Sequence, residues 1–218
     1  MAYYTDAEKV SLDDLQKRIK ATDLVPSRIS LLVGLEMKIK SLQKQSIITL
    51  ADLRNELKTA KRLESLAKST GIETEYLTLL RREIEGWFPK PSMLKDFGWL
   101  PKSEIAKLER NGICDAATLY EATYSKSKRT TLAMTTGTDL ATLEMFAQLV
   151  DLTRVQWVSP TTARMLLEAG CTGSAKLAKA DADELAEALA LVNTGNRFFK
   201  GKIGLRDVKR LILAASYV

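Results

Sequence analysis

Apolar residues recur along this chain at intervals of three and four, and strand-like alternation is scarce, so nearly every segment predicts helix. In SLDDLQKRIK, Leu12, Leu15 and Ile19 form one stripe, Ser11 stands where an N-cap belongs, and Asp14 follows three residues on. The predicted helices end at glycine or before proline. Charged residues interrupt every apolar stretch before it reaches the roughly 18 residues needed to cross a bilayer, so no membrane partner is expected.

The helical pattern repeats. LQKQSIITLADL at 42–53 lies under LERNGICDAATL at 108–119 with a shift of 66. The same shift carries RLESLAKSTGIETEYL onto KRTTLAMTTGTDLATL, matching Leu66 with Leu132, Ala67 with Ala133, Thr70 with Thr136, Gly71 with Gly137 and Leu77 with Leu143. A run of about 35 positions without a gap is hard to obtain from helical composition alone. A third copy begins at Trp157, 58 residues after Trp99, and pairs Leu108 with Leu166, Gly112 with Gly170 and Leu119 with Leu177. Beyond Leu177 it shortens and takes no unique alignment. The expected fold is all-α: tandem helix-hairpin-helix-like repeats packed on one another, because each copy is too small for a large core of its own. The expected units are 1–90, 91–153 and 154–218, with joints at WFPKPSMLKDFG (87–98) and near Leu152 to Trp157.

Charge and composition narrow the function. Lys+Arg 33 against Asp+Glu 27 gives a net charge of +6 and favours a polyanionic partner. With no histidine, the commonest general base and metal ligand are missing, and no nucleophile and base can be placed together, so a non-enzymatic protein is expected. Asp181, Asp183 and Glu184 read as a helix start, with Asp181 the cap and acids in the first turn. Cys114 and Cys171 lack zinc-site spacing and read as two small, semi-buried thiols. No cofactor and no small-molecule substrate are predicted. MAYYTDAEKV shows no basic segment followed by an apolar one, so a cytoplasmic location is expected.

In a helix-hairpin-helix unit, a hairpin of the form hydrophobic-x-Gly-hydrophobic-Gly lets backbone N–H groups approach a phosphate while the next helix presents its N-terminus to the same charge. VQWVSPTTARMLLEAG has that outline, with Trp157 and Ser159 at the glycine places and Pro160 opening the helix. Ser159, Thr161 and Arg164 are its candidate contacts. Trp157, bulky at the approach point, should bury inward or block access. GWLPKSEIAKL carries Trp99 and Pro101 at the same places, and for both hairpins a packing corner outweighs phosphate binding. The stronger candidate is NRFFKGKIGLRDVKRLILAA, the densest basic stretch, with Arg197, Lys200, Gly201, Lys202, Gly204, Arg206, Lys209 and Arg210 as candidate nucleic-acid-binding residues. Phe198 and Phe199 read as core anchors before stacking platforms. Lys61, Arg62, Arg81 and Arg82 are expected to pair locally with Glu64, Glu83 and Glu85 at helical spacing.

TDLVPSRISLL, ITLADL, TGIETEYLTLLRREIE, DLTRVQWVSPTTARMLLEAGC and KGKIGLRDVKRLI together resemble the bacterial domain-of-unknown-function family 4332, built from helix-hairpin-helix-related units. The most specific of these, DLTRVQWVSP, is similar to a family pattern of Gly-hydrophobic-Gly-Pro before a helix, and departs from it at Trp157 and Ser159. The resemblance implies an all-helical fold and a relation to DNA-binding modules, and it brings no activity with it. Two functions are therefore expected to compete: a module binding nucleic acid, DNA foremost, through the phosphate backbone without sequence specificity, and a protein–protein interaction scaffold that keeps the shape without the phosphate chemistry.

Overall fold

A computed structural model describes residues 2–201 and 203–218. The described residues are all-helical, with no strand among them. Two compact units divide the chain: Asp6–Trp87, and Phe88–Val218 together with the N-terminal residues up to Thr5.

The first unit contains α1 (Leu12–Ala21), α2 (Leu35–Lys44), α3 (Leu50–Leu57), α4 (Ala60–Thr70) and α5 (Thr74–Glu85), with 3-10 turns at Ala7–Lys9 and Pro26–Leu32. Local chemistry sets the helix starts. The Ser11 hydroxyl accepts the Asp14 N–H at 3.1 Å, and Thr49 accepts the Asp52 N–H while the Asp52 carboxylate takes the Thr49 N–H in return, a reciprocal capping box. That backbone hydrogen bond, with the Thr49 hydroxyl, holds the Asp52 carboxyl below the usual carboxylate range. The stripe expected in α1 is buried, since Leu12, Leu15 and Ile19 are each 0% exposed. Burying a leucine or isoleucine completely is worth about 1.5–3 kcal/mol, so a polar residue at any of the three should release α1 from its packing on α2.

The second unit contains α6 (Lys102–Arg110), α7 (Ala116–Thr123), α8 (Lys126–Thr136), α9 (Leu140–Leu152), α10 (Pro160–Glu168), α11 (Ser174–Leu177), α12 (Ala182–Val192) and α13 (Leu205–Ala215). Its bounds follow the sequence shifts. Both ends of α3 and α4 recur 66 residues on as α7 and α8, and both ends of α6 recur 58 residues on as α10. Gly71, Gly137 and Gly195 carry the same shifts at φ +70°, +68° and +71°, a left-handed turn that costs glycine little. Gly195 thus marks, beyond Leu177, a register that the sequence comparison left open. In each unit a short antiparallel bridge ties the chain ahead of one helix to the cap of a later one: Leu50 N–H to Val10 O at 2.8 Å, and Ala116 N–H to Ser92 O at 2.8 Å.

One core runs through the second unit, including Phe97, Leu108, Leu119, Phe146, Leu152, Val155, Leu166, Leu177, Leu189 and Val208. Tyr3 joins it, 2% exposed, with its phenol 3.1 Å from the Thr153 hydroxyl. Tyr4 donates to Pro89 O at 3.0 Å and Thr5 to Tyr217 O at 2.9 Å. A polar network lies beneath. Arg154, 8% exposed, donates from Nε to Tyr3 O (2.7 Å) and from Nη1 to Tyr120 Oη (2.8 Å) and Asp151 Oδ1 (2.7 Å). The other Asp151 oxygen accepts the Ser174 N–H at 2.7 Å and hydroxyl at 2.9 Å. A buried charge survives only with partners of this kind, and these tie α7, α9, α11 and the N-terminal segment together.

Arg62, Arg81, Glu83 and Glu85 depart from the local pairing expected of them. Glu85 takes a bidentate Arg54 (3.1 and 3.2 Å), while Glu83 lies 3.7 Å from Arg28 and accepts the Trp87 indole N–H at 3.3 Å. Arg81 donates to Leu57 O and Arg62 to Asn55. Neighbouring helices supply these partners, because α5 packs against α3 and the Pro26–Leu32 turn. Cys114 and Cys171 are free thiols, half-buried and buried, and burial pushes the Cys171 thiol up. No described helix is long and apolar enough to cross a membrane.

Candidate functional site

The candidate residues sit at the α9–α10 hairpin and around α13, all in the second unit. Val155 (0% exposed) and Val158 (6%) both turn into the core, and the chain reverses between them only by giving Trp157 a φ of +69°. A left-handed residue other than glycine costs about 1–2 kcal/mol. The Trp157 side chain therefore points away from the valines and stays 44% exposed, so of the two expected outcomes it does not bury inward but stands at the approach point. The backbone here keeps the conformation of a glycine with an indole attached. Ser159 makes no such demand: at φ −76° it caps α10 by accepting the Thr162 N–H at 3.1 Å, and Pro160 opens the helix as expected. Thr161 is exposed, and the first turn of α10 contains no acid.

Arginines cover the aromatic rings. The Arg210 guanidinium lies 4.3 Å from the Trp157 ring centre, Arg164 5.2 Å from Trp99 and 5.5 Å from Phe198, and Arg197 4.9 Å from Phe198. Glu168 accepts from Arg164 at 2.9 Å and from Arg197 at 2.7 and 3.2 Å, so one carboxylate serves two guanidinium groups and a positive charge is left over. Arg210 is more enclosed. Its side chain is 16% exposed, its Nη1 lies 4.0 Å from Asp207, and its buried Nε has no hydrogen-bond partner among the described residues.

The loop between α12 and α13 is held by Asn193, which the sequence reading passed over. Its carbonyl accepts the Phe198 and Phe199 N–H groups at 3.0 and 3.3 Å, and its amide donates to Phe199 O and Gly201 O at 3.2 Å each. A helix-ending asparagine before Thr-Gly was the available signal. Phe198 and Phe199 are half-buried against the core, as expected of anchors. Lys200, Gly201, Arg206 and Lys209 are exposed, and Lys202 lies outside the described residues. Gly201 adopts φ +136°, while Gly204 caps α13 in an ordinary extended conformation, φ −75°. Asp207 occupies the first turn of α13, where its charge competes with an incoming anion; the acid-free start of α10 has no such competitor.

Residues 197–210 contain six basic side chains and one acidic, a net +5 within a chain whose total is +6. Asp181 accepts the N–H groups of Asp183 (2.9 Å) and Glu184 (3.0 Å), as a helix cap should. A family model described as domain of unknown function (DUF4332) matches residues 100–217, more than half the chain and both the α9–α10 hairpin and α13. No curated protein and no solved structure matches the chain.

Proposed function

The chain belongs to the DUF4332 family, and on that footing we propose that it is a non-enzymatic module that binds nucleic acid through the phosphate backbone, without sequence specificity. The concentration of charge in residues 197–210 carries this reading, since five of the chain's six net positive charges fall there. Asn193 holds the start of that segment in place, so Arg197 and Lys200 stand on a pre-organised loop and less ordering is needed on binding. Lysines and arginines on such a surface neutralise phosphates and release counterions, which makes affinity fall steeply with salt. Base edges are not read by such contacts, hence the lack of specificity. The acid-free α10 terminus beside Trp157 and Arg164 adds a place where backbone N–H groups meet an anion.

The test is anisotropy of labelled oligonucleotides across a salt series, with the protein and a Lys200→Ala/Lys202→Ala/Arg206→Ala/Lys209→Ala variant. Binding should weaken steeply with salt, and the variant should reduce the log–log slope by up to about 3. Absence of binding at low salt would refute the reading. The scaffold reading would then take its place, favoured by one feature of the first unit. Ile29, Leu32, Val33 and Met37 are 53%, 44%, 66% and 72% exposed within nine residues, the kind of apolar patch that protein-binding faces present.

A further inference from the structure

We propose that Trp157 and Arg210 form a stacking site for an unpaired base and its phosphate, so that the preferred ligand is single-stranded nucleic acid. The inference rests on the nucleic-acid reading above and specifies its substrate. It starts from a conflict. The hairpin needs a left-handed residue at 157, glycine would supply it without strain, and the chain instead places its largest side chain there and leaves it 44% exposed. Neither backbone preference nor core packing accounts for that choice. Strained residues of this kind concentrate where a ligand is met.

Arg210 supplies the second half. Its guanidinium lies over one face of the indole, 4.3 Å from the centre, and the 44% exposure of Trp157 is what remains for a base to meet. Its Nε is buried with no acceptor among the described residues, and Asp207, 4.0 Å from Nη1, is too distant to be a hydrogen-bonded partner. An exposed aromatic face backed by a fixed cation with no hydrogen-bonded carboxylate matches a nucleotide: the base stacks on the open face of the indole and the positive charge behind it draws the phosphate. In a duplex the bases are already stacked on one another, so an exposed indole at a hairpin tip gains nothing there beyond the phosphate contacts.

The experiment compares a labelled oligothymidylate with a duplex of equal length, for the protein and for Trp157→Gly and Trp157→Phe. Glycine suits φ +69°, so the first variant removes the ring without straining the hairpin. The protein should bind the single strand more tightly. Trp157→Gly should weaken that binding by about 5- to 150-fold, the range for losing one stacked base, and leave the duplex within twofold, with Trp157→Phe in between. If both oligonucleotides bind with steep salt dependence but Trp157→Gly binds the single strand like the parent, or loses both ligands equally, the stacking site is overturned while the nucleic-acid reading stands. If neither oligonucleotide binds at low salt, both fall together.

Discussion

Arg154→Met should cost the second unit about 3–5 kcal/mol, the range for leaving one member of a buried ion pair alone. The side chain gives up hydrogen bonds of 2.7, 2.8 and 2.7 Å to Tyr3 O, Tyr120 Oη and Asp151 Oδ1, and its cation leaves the Tyr120 ring, 4.2 Å away. Methionine restores much of the volume but none of the donors. Asp151 keeps its two bonds from Ser174 yet loses the only cation within salt-bridge distance among the described residues, with its side chain 22% exposed. That residual exposure lets water screen the stranded carboxylate and places the expected loss toward 3 kcal/mol. The assay is urea unfolding, with hydrogen exchange to locate the effect: the α7 and α11 segments should lose protection, while Asp6–Trp87 should not change. Adding Asp151→Asn to the variant should recover at least about 1 kcal/mol relative to the sum of the single changes, because it removes the charge left without a partner. A loss below about 1 kcal/mol, or strict additivity, would refute the argument that this pair is coupled and desolvated.

Burial pushes the Tyr3 phenol up to about 12, the hydrogen bond with Thr153 opposing. The folded chain thus keeps this proton longer than the unfolded chain, whose phenol titrates near 10. Its contribution is complete below about pH 10 and is lost as the pH rises toward about 12, at no more than about 1.4 kcal/mol per pH unit. Urea midpoints measured between about pH 9 and pH 12 should fall less steeply for Tyr3→Phe than for the parent, and equal slopes would contradict the assignment. Gly173→Ala should destabilise by about 1–3 kcal/mol, because its Cβ would lie 2.8 Å from an Asp151 oxygen already fixed by Ser174; thermal unfolding indistinguishable from the parent would show that the carboxylate yields freely. Asn193→Ala removes four hydrogen bonds and should raise amide exchange of Phe198 and Phe199 at least tenfold by NMR, whereas unchanged exchange would mean that ring packing alone holds the loop.

The sequence by itself determined the helices and their starts, since capping is settled within three or four residues. Ser11, Ser159 and Asp181 each accept N–H groups two or three positions on, and no distant group is needed to place them. It also determined the shifts of 66 and 58 that the helix bounds follow, because turn residues such as Gly71 and Gly137 repeat with the helices they end. Tertiary structure decided the partners of the charges that pair across elements. Glu85, expected to pair within its own helix, meets Arg54 across 31 positions, and Arg197 meets Glu168 across 29, since long side chains take a carboxylate that is near in space. It likewise decided that Tyr3 belongs to a core whose next member is Leu94, and that Trp157 faces outward. The periodicity of a short hairpin says nothing of which neighbours bury: Val155, Gln156 and Val158 take the inside, and the left-handed turn at Trp157 puts that side chain outside.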